Sequence, residues 1–405
     1  MKAKPEAVAA DSLAAALRWP PGSDKFRRLA GILLVLFGAY SAGFLAVTFA
    51  RMRAGSLGDF FGLWSSARFI FDHPAVQVYD PAALKAAQVT LGMSPLQSYP
   101  FPYPPSFLLL LWPLGLLPHL VAYGVALGVT LVLFVWATVG ARWRSPMTWA
   151  ALLAPTTTIT IVAGQAGFLA AALLAGGLRL AASRPISAGI LFGLATYKPQ
   201  MGLLVPVALV AAGLWRTIAA AVATVAALVV LTSAVFGPAI WPAWAANLIQ
   251  YADQFGAENS QIIHLMPTVY AGLLQLGTAP WVAQLAQFCA AIAAACVVWR
   301  CFRHGPTQLA GAALLVAALL ATPHAFVYDM PILATAAIWF VAERHSAGGA
   351  FGTGEILVMM LAMIAPITLV AGASHVPLTA VSLLLLLCVI ARRLRPTMPL
   401  SAVGG

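Results

Sequence analysis

The longest polar interruption in this chain runs from Gly55 to Phe107. Before it lies one apolar run, residues 29–50, behind a short basic tail. After it, apolar runs follow one another almost without pause to residue 391. Runs of this kind suit a hydrocarbon core of about 30 Å, which a helix of about 20 residues crosses. In lipid the backbone must satisfy its own hydrogen bonds, and a helix does so within one segment. The expected fold class is therefore all-α and integral to the membrane, a polytopic helical bundle. Composition agrees: 62% of residues are hydrophobic and 8% charged, against about 25% charged in soluble domains. The net charge of +11 does not indicate nucleic acid, because the cations fall between apolar runs, as membrane-orientation signals do. The four cysteines have neither C-x-x-C nor metal-ligand spacing, so no disulfide framework, metal site or cofactor is expected.

Three segments are expected: a cytoplasmic tail (1–28), a polytopic domain (29–392) with a first extracytoplasmic loop (51–104), and a second cytoplasmic tail (393–405). The first apolar run reads as a retained anchor, because no small-residue cleavage site follows it. In the loop, Phe60, Leu63, Trp64, Ala67 and Phe71 recur at helical spacing. They predict an amphipathic helix lying flat in the interface. A second short helix is predicted over 81–91, with Pro81 in its first turn. Pro100, Pro102, Pro104 and Pro105 exclude regular structure and lead the chain back to the membrane along an extended path.

Residues 106–117 are too few to span comfortably. They form either a short hairpin or, as preferred here, a half-span followed by one crossing at 119–140. Further spans are expected near 147–163, 167–182, 186–197, 200–215, 217–236, 281–299, 307–322, 328–342, 355–371 and 377–391. That layout has about twelve crossings and both termini inside. Of the 22 lysines and arginines, it leaves only Arg51, Arg53, Arg68, Lys85 and Lys198 outside, a strong positive-inside bias. No internal repeat is evident.

The layout also puts every polar cluster on the outer side. These are Gly164–Gly167, Tyr197–Gln200, the 237–280 loop with Asp253, Glu258, Asn259 and His264, and Pro323–Asp329. Polar groups converging at span ends describe a site. Asp59 reads either as an N-cap, since Gly58-Asp59 precedes the amphipathic stripe, or as a general base whose basicity partial desolvation raises; one carboxylate can do both. Lys198, at membrane depth beside Pro199, either snorkels to the interface or binds phosphate. Arg68 shares the phosphate reading, against that of a plain loop charge. In Pro323–Asp329, His324 is a candidate to donate to a phosphate oxygen or to protonate a leaving group, with Tyr328 beside it. Asp329 there is either part of the site or a cap on the next span. Gln165 is either a packing or capping amide or a substrate ligand. The proline run reads first as structural, and Tyr99, Phe101 and Tyr103 within it can floor a sugar site by stacking. Asp72, Asp80, Asp253 and Glu258 read mainly as solvated loop charges.

The motifs and their order resemble a known family. A first span leads to an outer loop with Gly58-Asp59-Phe60 near its start and Tyr79-Asp80-Pro81 further on. Tyr103-Pro104-Pro105-Ser106-Phe107, Gly164-Gln165, Lys198-Pro199 and a late Pro323-His324…Tyr328-Asp329 follow. Over roughly residues 30–340 this is similar to glycosyltransferase family 87 of the GT-C superfamily, the polyprenyl-phosphate-sugar-dependent transferases that include bacterial mannosyltransferases. The resemblance implies an inverting transfer of a hexose, in the first place mannose, from a lipid monophosphate sugar to a lipid- or glycan-linked acceptor hydroxyl. It implies an active site on the outer face of the bacterial inner membrane, with the catalytic carboxylate in the first outer loop, at Asp59. Two departures stand out. The family's G-Q turn usually continues to Asn, where this chain has Ala166-Gly167, and its N-Q-S segment is here Glu258-Asn259-Ser260-Gln261.

The expected partners are thus a polyprenyl-phosphate sugar, the acceptor and the bilayer. On this reading Asp59 is catalytic, and Lys198, His324, Arg68, Gln165, Tyr328, Asp329 and Tyr103 bind substrate. The rival reading, a polytopic transporter or lipid flippase, is expected to show repeated halves and helices broken at the midplane.

Overall fold

A computed structural model of the chain describes residues 18–19, 23–53, 58–254, 263–305, 307–372 and 377–393. The expectations for the Asp253 side chain, for Glu258–Gln261 and for most of both tails lie outside these residues. The helices of seven residues or more, in order, are α1 (Asp24–Arg53), α2 (Phe60–Phe69), α3 (Pro81–Thr90), α4 (His119–Val139), α5 (Pro146–Leu153), α6 (Pro155–Ala163), α7 (Gly167–Leu180), α8 (Pro185–Leu194), α9 (Val205–Ala211), α10 (Trp215–Phe236), α11 (Ile240–Gln254), α12 (Val269–Gln275), α13 (Pro280–Phe302), α14 (Gln308–Ala321), α15 (Pro331–Ser346), α16 (Thr353–Ala371) and α17 (Leu378–Arg393). The only strand pairing among the described residues is a two-residue antiparallel ladder, Arg18–Trp19 with Phe351–Gly352.

Among the described residues, length and composition make five helices long and apolar enough to cross a membrane: α1, α4, α10, α13 and α16. The pair α5–α6, bent by 46°, makes a sixth if it is one span. The expected twelve crossings count every apolar run as a span except 106–117, a half-span in that layout; twelve are not confirmed. Several runs are instead short helices, among them Pro105–Leu116, Gly167–Leu180, Pro185–Tyr197, Pro199–Ala211 and Gln308–Ala321, below the length a full crossing takes. Two of these form the centre of the bundle. Every residue of α14 from Leu309 to Ala321 is buried, as is most of α7, and α15 is buried nearly as completely. Their sequences are rich in Ala and Gly, which lets backbones approach. A Cβ on Gly311, for instance, would lie 2.7 Å from the Trp339 ring. The long helices α1 and α10 fully bury only 6% of their apolar windows and keep much of their apolar surface exposed, as lipid-facing helices do.

The first outer loop departs from expectation in one respect. α2 does not lie flat on an interface, because nearly all of its residues are buried in protein. Its apolar stripe packs on the start of α4, with Phe60 edge-on to Tyr123 at 5.4 Å and Trp64 edge-on to His119 at 5.2 Å. Its Trp64 Nε1–H donates to Leu117 O at 2.9 Å, tying it to the residue that ends the short 105–116 segment. Its polar side is buried as well: Ser66 Oγ donates to Gly62 O at 2.7 Å, and Gln88 Nε2 of α3 donates to Ser65 Oγ at 3.0 Å. The short helix expected at 81–91 is present as α3, started by Pro81 and capped by Asp80, whose Oδ1 accepts from Ala82 N–H at 2.9 Å and Ala83 N–H at 3.3 Å.

The 237–280 segment is not simply a loop. It begins with α11, whose Trp244 Nε1 and Asn247 Nδ2 donate to Pro102 O and Phe101 O, both at 3.1 Å. The proline run, which has no ladder of its own, is thereby held by side chains.

Candidate active site

The polar clusters meet at the turn between α6 and α7. Gly164 closes α6 with φ +66°, a left-handed conformation open to glycine at little cost. Each residue of the turn then touches a different segment. A Cβ on Gly164 would stand 2.7 Å from Phe60 Cβ, in the residue after Asp59. Gln165 Oε1 accepts from Tyr103 Oη at 3.2 Å. Ala166 O accepts from Tyr197 Oη at 2.6 Å. A Cβ on Gly167 would fall 1.8 Å from Tyr328 O, so glycine is required there. Thr160 Oγ1 of α6 donates to the same Tyr328 carbonyl at 3.0 Å. Four residues of backbone thus gather the first loop, the proline run, the α8–α9 connection and the 322–329 segment.

Asp59 stands at the start of α2, after the positive-φ turn at Gly58. It occupies the N-cap position but does not cap. Its own backbone is helical (φ −70°, ψ −23°) and its side chain makes no capping bond, whereas a capping residue takes an extended conformation that aims its oxygen at the next turn. The carboxylate makes no hydrogen bond or ion pair among the described residues. It keeps accessible surface. The surrounding protein still removes enough water to hold its carboxyl above the usual Asp range. Three tyrosines feel its charge: burial first, and the Asp59 carboxylate in addition, push the hydroxyls of Tyr99, Tyr103 and Tyr328 up.

Lys198 is neither snorkelling nor free. It sits at the break between the 3-10 turns 195–197 and 199–202, with 3% of its side chain exposed, and forms an ion pair with the fully buried Asp329. Its ammonium also lies 4.7 Å from the Tyr328 ring centroid. The other Asp329 oxygen, Oδ2, accepts from Phe326 N–H at 3.1 Å. Asp329 therefore does not cap α15; it closes the 327–329 turn and neutralises Lys198. Two charges buried this deeply persist only as a pair with their remaining valences satisfied.

Arg68 is not brought to this site. It lies at the far end of α2, nine residues from Asp59 and so about 13 Å along a helix, and pairs with Asp72 at 3.1 Å. His324 lies in the gathered 322–329 segment with an exposed ring, its backbone N–H held by Thr322 Oγ1 at 3.0 Å. Loss of water to the surrounding protein lowers its pKa, which favours the neutral imidazole, a form that can donate one hydrogen bond.

Sequence reading missed Tyr197, Thr160 and the contribution of α11. Besides Trp244 and Asn247, that helix brings Tyr251 close enough to act electrostatically on Tyr103 and Tyr328. The signal was present: Trp244, Asn247 and Tyr251 are spaced i, i+3, i+7, one face of a helix.

The family model described as glycosyltransferase family 87 matches residues 101–323. The match includes Tyr103, Gln165 and Lys198 and ends just before His324, while Asp59, Tyr328 and Asp329 are joined to it by the geometry above. Neither curated proteins nor solved structures gave a match. The match spans more than half of an all-helical, multi-pass membrane chain, and this chain belongs to glycosyltransferase family 87, a family of membrane glycosyltransferases.

Proposed function

We propose that the protein moves a hexose, in the first place mannose, from a polyprenyl-phosphate sugar to a lipid- or glycan-linked acceptor hydroxyl, on the extracytoplasmic face of the bacterial inner membrane. The observation that carries this reading is the Asp59 carboxylate: not engaged in a cap, unpaired among the described residues, raised in pKa by loss of water, and near enough to Tyr99, Tyr103 and Tyr328 for its charge to act on them. In the transfer, Asp59 takes the acceptor hydroxyl proton as the acceptor oxygen bonds to the anomeric carbon. The bond from that carbon to the phosphate oxygen breaks, and polyprenyl phosphate leaves with the electron pair. A single displacement of this kind inverts the anomeric centre. A sugar phosphate is already activated, so the protein's share is a positioned base and donors aimed at the departing phosphate. His324 N–H is the donor proposed for that phosphate. Tyr103, Gln165 and Tyr328 line the sugar. Lys198 and Asp329 hold the wall on which Tyr328 stands, and Arg68 has no part in the chemistry.

The donor class is tested by offering the purified protein, in liposomes, labelled hexose on polyprenyl phosphate and on a nucleoside diphosphate. Transfer is expected from the lipid donor alone, and transfer from the nucleotide donor overturns the reading. Sidedness is tested separately. Single cysteines at Gln165 and His324, in a background without the native cysteines, should react with an impermeant thiol reagent added outside intact cells. Cysteines at Arg142 and Arg303 should not. The reverse pattern would put the site on the cytoplasmic face.

A further inference from the structure

A cleft of about 250 Å³ opens beside the candidate site, between α3 and the start of the proline run, lined by Pro81, Lys85, Gln88, Ser98, Tyr99 and Pro100 among others. It is smaller than the 300–1,000 Å³ or so typical of sites for drug-sized ligands and has room for about one sugar unit. Its wall is rigid. The buried Gln88 amide grips the Tyr99 backbone from both sides, Nε2 donating to Tyr99 O at 2.8 Å and Oε1 accepting from Tyr99 N–H at 3.3 Å. Tyr99 belongs to both places. It lines the cleft, and it packs on the second and third residues after Asp59, with its ring 5.9 Å from that of Phe61 and its Cβ so close to Gly62 that a Cβ there would stand at 2.9 Å.

The charge of the cleft is distinctive. Arg68 and Lys198 are both neutralised, by Asp72 and Asp329. Lys85 makes no ion pair among the described residues, and it lines the cleft together with Tyr99 and Ser98. An aromatic face, a hydroxyl and an unmatched cation together suit a sugar that carries negative charge.

We propose that this cleft holds the part of the acceptor next to the reacting hydroxyl, and that this part is a saccharide bearing an anionic group, a phosphate or a carboxylate, paired with Lys85. The assignment to the acceptor rests on the transfer reading above; the binding itself does not. The test therefore uses binding alone. The protein, in nanodiscs of zwitterionic lipid, is titrated with a neutral methyl hexoside, a hexose monophosphate, a methyl hexuronide and inorganic phosphate, with contact read by saturation-transfer NMR. The two charged sugars should bind about tenfold or more tighter than the neutral sugar, the worth of one charge-assisted hydrogen bond, and tighter than phosphate. Lys85→Gln should abolish the preference, Lys85→Arg should keep it, and Ser98→Trp, which fills the cleft, should weaken all three sugars.

Repeating the titration in phosphatidylglycerol nanodiscs identifies the source of the anion. Competition points to a lipid headgroup, and undiminished binding to an acidic sugar residue. Equal affinity for neutral and charged sugars, or a preference that survives Lys85→Gln, overturns the proposal. Since no transfer is measured, that failure would leave the role of Asp59 standing, and loss of that role would leave the cleft standing.

Discussion

Asp59→Asn is expected to fold, insert and bind the lipid donor, and to lose turnover by about a hundredfold or more, the usual worth of a positioned general base. Asn keeps the shape of Asp and accepts hydrogen bonds, but it cannot take a proton. The structure sharpens this test, because Asp59 contributes no capping bond that Asn would have to replace. Stability should move the other way from activity. Burial raises the folded pKa of Asp59 above its ordinary value. Its contribution to stability is thus fully present below the ordinary Asp pKa and is lost as pH rises through the folded value. At neutral pH the ionised carboxylate is a burden, so Asp59→Asn should unfold at the same temperature as the parent or higher. Turnover of the parent should fall as pH drops through the raised pKa of Asp59, and the variant should lack that limb. The assay is transfer of labelled sugar in liposomes across pH, with thermal unfolding alongside. Near-normal transfer by Asp59→Asn would remove the residue from the chemistry.

The second large effect is expected at the buried pair. Lys198→Ala leaves the Asp329 carboxylate uncompensated at 0% exposure, which costs about 3–5 kcal/mol in comparable buried pairs. Asp329→Ala does the same to Lys198. Either change should lower the unfolding temperature sharply and release the 322–329 segment from the α6–α7 turn. The double variant Lys198→Met/Asp329→Leu removes both charges at similar volume, and such replacements are often neutral. It should recover most of the lost stability. Donor KM in that double variant then separates two roles. If Lys198 only positions Tyr328, KM returns close to the parent value. If its charge contacts the donor phosphate, KM stays about ten- to a hundredfold high, the loss of one charge-assisted hydrogen bond.

The contrast between Asp59 and Lys198 marks what each level of description can decide. Both are charged residues bordering apolar runs, and by spacing alone both carried a structural and a chemical reading. At Asp59 local geometry excludes the cap, because the backbone there is helical and the side chain makes no capping bond. At Lys198 a contact 131 residues away places the ammonium in an ion pair. Arg68 shows the same limit from the other side: it lies in the right loop, yet pairs with Asp72 one helical turn away, at the wrong end of α2.

The sequence by itself determined the solvent, the helical class, the family and nearly every helix. Those follow from apolar run length, proline and glycine position and motif order, all of them local along the chain. It also singled out the four segments that meet at Gly164–Gly167. Only the tertiary structure decided which apolar runs face lipid and which form the centre. Composition is nearly the same for both: α14 is buried from Leu309 to Ala321, while only 6% of the apolar window of α10 is fully buried. A membrane core and a protein core are equally apolar, so hydropathy cannot tell them apart. Hydropathy likewise cannot say which oppositely charged residues will find each other across the fold, because pairing energy depends on distances that the chain acquires only once its helices are packed.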